Sequence, residues 1–242
     1  MKISFNRFFL ALSLIFTVSC SNTQEKNSSY YETNVSSQDK TDIDTTIISL
    51  QKAINLNPEK PLAYKELGIA YYERGDFDQA IANYQKAIEI DSNYADAYNT
   101  IGNAYRAKGD IKAAIKNYLK ALQIDPKFAK VFNNLGSLYA SQGDNDIAIE
   151  YFLKAIEIDP KVPAYYNLGL AYGVKGNYEI AIKCFHQALE LEPNNAYAYY
   201  NMGIAYSGIG DEKTALKYIV KAAQLGDENA RKLCTESGIN WE

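Results

Sequence analysis

One histidine and three cysteines stand among 242 residues. That scarcity excludes most metal frameworks and disulfide scaffolds, which need several such ligands at fixed spacings. A basic stripe is missing too: 25 Lys and Arg face 29 Asp and Glu, a net charge of −4. Nucleic-acid binding needs clustered positive charge and is not expected here. No segment reads as a strand leading into a glycine-rich phosphate loop. Six prolines and fourteen glycines do not make a disordered composition, and 47% hydrophobic residues suffice for a core.

Little is left for catalysis. His186 has no nucleophile motif around it, and Cys184 lies on a different helical face. His186 therefore reads as a partly solvated helix residue. Cys184 and Cys234 read as two semi-buried thiols, because a bridge needs Cα atoms within about 7 Å. Acidic stretches such as AIEIDP and ALELEPNN lack calcium-loop spacing and read as solvated faces near helix ends. No catalytic residue, metal or cofactor is expected, and no enzyme.

A long apolar run occurs at the N-terminus, where Lys2 and Arg7 precede Phe8–Val18. As a helix this run would rise about 16 Å, short of the ~30 Å hydrocarbon core, so it reads as a secretory signal. It ends in TVSC, which resembles a bacterial lipobox, with Ser19 before Cys20 and Thr17 where that motif usually has leucine. The resemblance implies a signal peptide over 1–19, lipidation of Cys20, and a membrane-anchored protein of the bacterial cell envelope. The alternative is a soluble secreted or periplasmic chain. Residues 20–42 then comprise the lipidated cysteine and a Ser-, Asn- and Thr-rich tether, whose root-mean-square reach is about 25 Å.

From there the chain repeats itself. YKELGIAYYERGDF begins at Tyr64, YNTIGNAYRAKGDI at Tyr98, FNNLGSLYASQGDN at Phe132, YYNLGLAYGVKGNY at Tyr165 and YYNMGIAYSGIGDE at Tyr199. With Pro61 as position one, position eight is Gly68, Gly102, Gly136, Gly169 and Gly203, at steps of 34, 34, 33 and 34. Position eleven is always tyrosine, and positions twenty and twenty-seven are always alanine. Position fifteen is glycine, suited to a left-handed helix end, and position sixteen is Asp or Asn, suited to cap the next helix. Each unit thus predicts two helices and a tight turn. Glycine inside a helix costs about 1 kcal/mol relative to alanine. Its recurrence at position eight predicts a close helix–helix approach, with the two alanines as the matching small surface.

This pattern resembles the tetratricopeptide repeat. The resemblance implies an all-α, right-handed α-solenoid of stacked helix–turn–helix units, whose first helices line a concave groove that holds peptides or partner helices. The expected layout is a half repeat over 43–60, then repeats over 61–94, 95–128, 129–161, 162–195 and 196–229, and a polar capping helix and tail over 230–242.

Positions two, five, nine and twelve fall on the first-helix face opposite the packed stripe. In the first three repeats they bring Lys65, Tyr72, Asn99, Asn103, Arg106, Lys130 and Asn133, a set of amides and cations able to meet peptide backbone and carboxylates. In the last two they bring Tyr166, Leu170, Tyr197 and Tyr200, large side chains of the kind that dominate binding energy. The expectation is a bipartite peptide site on a non-enzymatic, membrane-tethered adaptor, with envelope or pilus assembly as its setting. A self-associating envelope protein, with the tyrosines as a homo-oligomer interface, is the alternative. An accessory subunit of an envelope enzyme is a remote one.

Overall fold

The computed structural model describes residues 37–161 and 163–242. The readings made for residues 1–36, Cys20 included, lie outside the described residues. Twelve helices and no strand occur among the described residues. They are α1 (Ser37–Leu56), α2 (Pro61–Glu73), α3 (Phe77–Ile90), α4 (Ala95–Ala107), α5 (Ile111–Ile124), α6 (Ala129–Ser141), α7 (Asn145–Ile158), α8 (Ala164–Val174), α9 (Tyr178–Leu191), α10 (Ala196–Gly208), α11 (Glu212–Gln224) and α12 (Glu228–Glu236). None of them is long and apolar enough to cross a membrane.

Helix α1 begins inside the segment expected to be tether. Residues 37–42 are helical because neither proline nor glycine interrupts the chain between Ser37 and Leu56. The hydroxyls of Thr45 and Thr46 donate to the Asp42 carbonyl at 2.8 and 2.9 Å, satisfying themselves within the helix.

Each first helix stops where glycine was expected to stop it. At Gly109 φ is +79°, a region costly for residues with a Cβ. The turn closes with Gly109 N–H on the Arg106 carbonyl and Asp110 N–H on that of Tyr105, both at 2.9 Å. The Asp110 and Asp211 carboxylates then accept from the backbone N–H of Ala113 (3.0 Å) and Thr214 (3.1 Å). Asp76, Asp144 and Asn177 occupy the same cap position without that side-chain bond. The acids at the ends of the second helices do more than face solvent. Asp91, Asp125 and Asp159 accept from the backbone N–H two residues onward at 2.9–3.0 Å and so build the turn into the next repeat.

The described chain forms two compact units, 37–138 and 139–242. In residues 37–138, α1 packs on α2, α2 on α3, α3 on α4 and α4 on α5. One core joins Ile47 to Leu67 and Ala70; the next joins Ala80, Ile81 and Tyr84 to Ile101 and Ala104. In residues 139–242, helices pack in sequence from α7 to α12. Hairpin stacked on hairpin is the α-solenoid class.

The position-eight glycines approach something larger than the expected alanines. A Cβ on Gly68 would stand 2.4 Å from Tyr84 Cε1, and one on Gly102 would stand 2.5 Å from Tyr118 Cε1. In the other unit, Gly169 meets Phe185 at 2.7 Å and Gly203 meets Ile219 at 2.8 Å. All four partners sit at position twenty-four and are at most 2% exposed. The glycine makes room for a ring or a branched chain, and the flanking alanines let that side chain sink. Burial pushes the Tyr118 hydroxyl up to about 12.

Candidate functional site

In residues 37–138 the first-helix face is organised by carboxamides. Asn99 and Asn103 lie one turn apart on α4, and Asn134 reaches them from α6. Asn134 Nδ2 donates to Asn99 Oδ1 at 2.9 Å and to Asn103 Oδ1 at 3.1 Å, while the Tyr118 hydroxyl donates to Asn103 Oδ1 at 2.7 Å. Both acceptor oxygens are thereby used. Asn99 is buried, 6% exposed, which corrects its expected place on an open face, whereas Asn103 is half-buried and its Nδ2 keeps its donors. Arg106, half-buried one turn further along α4, forms no ion pair among the described residues. Lys130 is exposed, and Asn133 is half-buried with its carbonyl accepting from Ser137 Oγ at 3.0 Å. The Tyr72 ring packs on Phe77 at 5.2 Å. The result is a face rich in N–H donors, suited to peptide carbonyls and carboxylates.

Lys65 does not join it as a free cation. Its Nζ lies 2.8 Å from Asp96 Oδ2 and 3.6 Å from Glu66 Oε1. Burial lowers its affinity for a proton, but the bond and charge of Asp96 outweigh that and leave the ammonium raised. The charge expected to receive a carboxylate already has one, supplied by the next repeat.

In residues 139–242 the aromatic set divides. Tyr197 is 42% exposed. Tyr166 is half-buried, with its hydroxyl accepting from Asn201 Nδ2 at 3.1 Å and its ring 5.9 Å from Phe185. Leu170 and Tyr200 are core residues, 7% and 3% exposed, which corrects their expected place on an open face. Leu170 clusters with Phe185, Met202 and Ala205; Tyr200 clusters with Ile204, Ile219 and Leu233. Apolar side chains at positions five and nine are long enough for the following helix to cover.

Two features escaped the sequence reading. The first is position six, where Asn134 and Asn201 each bridge back to position five of the preceding repeat. Asparagine at that position in three consecutive repeats (Asn134, Asn167, Asn201) was the visible signal. The second is an ion-pair ladder at the hairpin tips. Arg74 pairs with Asp44 at 2.6 Å and Asp76 at 2.5 Å, Lys108 pairs with Asp78, and Lys175 with Asp146. A depression of about 600 Å³ between Arg74, Phe77, Gln79 and Lys108 lies beside these pairs, so its cations are already neutralised.

His186 is exposed, its ring edge-on to Tyr218 at 6.3 Å. Cys184 and Cys234 are free and buried rather than semi-buried. Among the described residues no group of His, Cys, Asp and Glu is placed to hold a metal.

Fold and faces together define a helical-repeat protein-interaction module. The chain belongs to the tetratricopeptide repeat family: models of that repeat match residues 68–105 and 102–143, 129–162 and 162–195, and 49–82 and 184–217. Among solved structures it is similar to MamA, with 30% identity over 72% of this chain and 96% of that one, at a TM-score of 0.59. It is also similar to YrrB, described as a tetratricopeptide protein with an unusual peptide-binding site, with 27% identity over 77% and 97% and a TM-score of 0.58. PilF of Pseudomonas aeruginosa is 29% identical over 72% of this chain and 83% of its own, with a TM-score of 0.67. No curated protein sequence matches the chain.

Proposed function

We propose that this protein is a non-enzymatic adaptor that holds an extended peptide or partner segment on its first-helix faces and is tethered to an envelope membrane through Cys20. One observation carries the binding reading. Asn134 and Tyr118 consume the acceptor oxygen of Asn103, leaving its amide donor beside the guanidinium of Arg106, which has no ion pair among the described residues. Such a surface favours acceptor-rich, acidic segments. The likeness to YrrB, whose peptide-binding site is named in its description, supports a peptide as the guest. A setting in pilus or envelope assembly belongs to the same reading. The lipid anchor rests on the sequence Val18–Ser19–Cys20 after its apolar run.

In-cell photo-crosslinking from Lys130 and from Tyr197, two exposed positions on these faces, tests the adaptor reading. One dominant partner protein is expected. Crosslinks to other copies of this chain alone would replace the adaptor with a self-assembling envelope protein. Membrane fractionation of Cys20→Ser tests the tether, and undiminished membrane association would remove it from the account.

A further inference from the structure

The net charge of −4 conceals one basic row. No basic stripe is expected from the sequence, yet helix α5 gathers one. Its residues Ile111–Ile124 contain three lysines and no acid. Lys112, Lys116 and Lys120 stand four residues apart, so they share a face and span about 12 Å along the helix. All three are exposed, and none forms an ion pair among the described residues.

The core contacts of α5 lie on its other side. Ala114, Tyr118 and Ala121 are 0% exposed and hold the helix against the body. At about 100° per residue the lysines point away from them, and Leu119, 44% exposed, falls within the same outward arc. The neighbouring carboxylates are engaged elsewhere. Asp110 and Asp125, at the two ends of α5, accept from the backbone N–H of Ala113 and Lys127 at 3.0 Å. On α3, the preceding second helix, Asp78 pairs with Lys108 and Glu89 with Lys86. The row occupies positions eighteen, twenty-two and twenty-six, which include an acid in the first, third and fourth repeats. All three are lysine again only in α11, as Lys213, Lys217 and Lys221. There Glu212 precedes the row, and Lys217 lies over the Tyr218 ring at 5.7 Å.

We infer that the outer face of α5 docks on an anionic lipid surface, with Lys112, Lys116 and Lys120 among the headgroups and Leu119 entering the interface. This deepens the membrane part of the reading above and rests on it, since a body tethered by about 25 Å of chain is held beside a bilayer. The chemistry of the row favours lipid over a structured partner. Lysine is a flexible point charge suited to mobile headgroups, whereas fixed carboxylates favour the planar fork of arginine. An exposed leucine among the cations gains burial at a lipid interface that an acidic segment would not supply. Three charges also fall short of the roughly 6–10 phosphate contacts of a nucleic-acid binder. Each lysine near an anionic surface strengthens binding about fivefold, so the row contributes about a hundredfold at low ionic strength. With Cys20 as one attachment, this second contact sets which side of residues 37–138 faces the bilayer.

The test is vesicle co-sedimentation of the chain from residue 21 onward, which contains all twelve helices and no acyl chain. The probes are vesicles of phosphatidylcholine with phosphatidylglycerol, and of phosphatidylcholine alone. The wild-type chain is expected to bind only the anionic vesicles, and raised salt should release it. Lys112→Gln/Lys116→Gln/Lys120→Gln should weaken that binding about a hundredfold. Lys52→Gln/Lys154→Gln/Lys183→Gln removes the same charge from exposed positions elsewhere and should weaken it far less. Equal loss in the two variants would reduce the row to net charge and overturn the inference, as would equal binding of wild type and the α5 variant. Tighter binding to a poly-glutamate peptide than to the anionic vesicles would make the row a protein site and overturn it too. Leu119→Cys carrying an environment-sensitive fluorophore gives a second reading that removes no charge. Blue-shifted emission on anionic vesicles is expected, and unshifted emission overturns the inference. Because no acyl chain is present, failure here leaves the Cys20 tether standing, and membrane fractionation can fail without touching this result.

Discussion

Adding a single methyl group at Gly102 tests the packing logic of the repeat. The new Cβ would stand 2.5 Å from Tyr118 Cε1 and 2.6 Å from Cδ1, where ordinary contact begins at 3.4 Å. The ring must recede by nearly an ångström, yet it is 0% exposed and its hydroxyl is committed to Asn103 at 2.7 Å. Overpacking of this kind costs about 1–3 kcal/mol, and strain on the hydroxyl bond adds about 1 kcal/mol. Alanine returns about 1 kcal/mol through helix propensity. Gly102→Ala should therefore destabilise by about 1–3 kcal/mol. Tyr118→Ala alone should cost about 3–5 kcal/mol, as a large aromatic deletion does. Once the ring is gone the three nearest contacts of the methyl go with it, so Gly102→Ala in that background should be neutral or stabilising by up to about 1 kcal/mol. The assay is urea unfolding followed by circular dichroism, reading midpoints because repeat arrays depart from all-or-none unfolding. The reversal of sign is the signature. The same destabilisation in both backgrounds would refute the account of position eight.

Asn134→Leu should lower stability by about 1–3 kcal/mol, because it leaves the Asn99 carbonyl, 6% exposed as a residue, without its donor; an unchanged urea midpoint would contradict the network. Asp211 is held below its ordinary value of 3.8 by bonds from Thr214. Its contribution should therefore be complete above that value and vanish as pH falls through the lower folded one, so the stability gap between wild type and Asp211→Ala should close on acidification and not on raising pH. Burial pushes the Cys184 thiol up to about 11 and the Cys234 thiol upward too. With Cys20→Ser as background, a thiol reagent at pH 8 should label both only upon unfolding, and prompt labelling of the folded chain would refute their burial.

The repeat frame was readable because its determinants are local. Gly109 ends α4 and Asp110 opens α5 by bonds that span three to five residues, and the sequence places both at fixed positions. The site was less readable because its contacts join residues about one repeat apart. Lys65 looks like a free cation until Asp96, 31 residues on, is placed beside it. Asn99 looks like an open amide until Asn134, 35 residues on, bonds its Oδ1 in a buried position. Stacking sets position five of one repeat beside position six of the next, so the Asn99–Asn134 and Tyr166–Asn201 pairs were latent in the register. The burial of Tyr200 was less so, because it shares its core cluster with Ala230, Leu233 and Cys234 of α12, a helix whose sequence reads as polar.

The central claim is that outward amide donors of the first-helix face hold the partner, and Asn103→Asp addresses it most directly. The carboxylate keeps an acceptor for Tyr118 and Asn134, replaces the Nδ2 donor with a second acceptor and adds a negative charge that repels an acidic segment. The measurement is partner yield in photo-crosslinking from Lys130, compared between wild type and Asn103→Asp at equal helicity. The account predicts that the dominant crosslink is lost while the fold persists. Undiminished capture by the variant would contradict it.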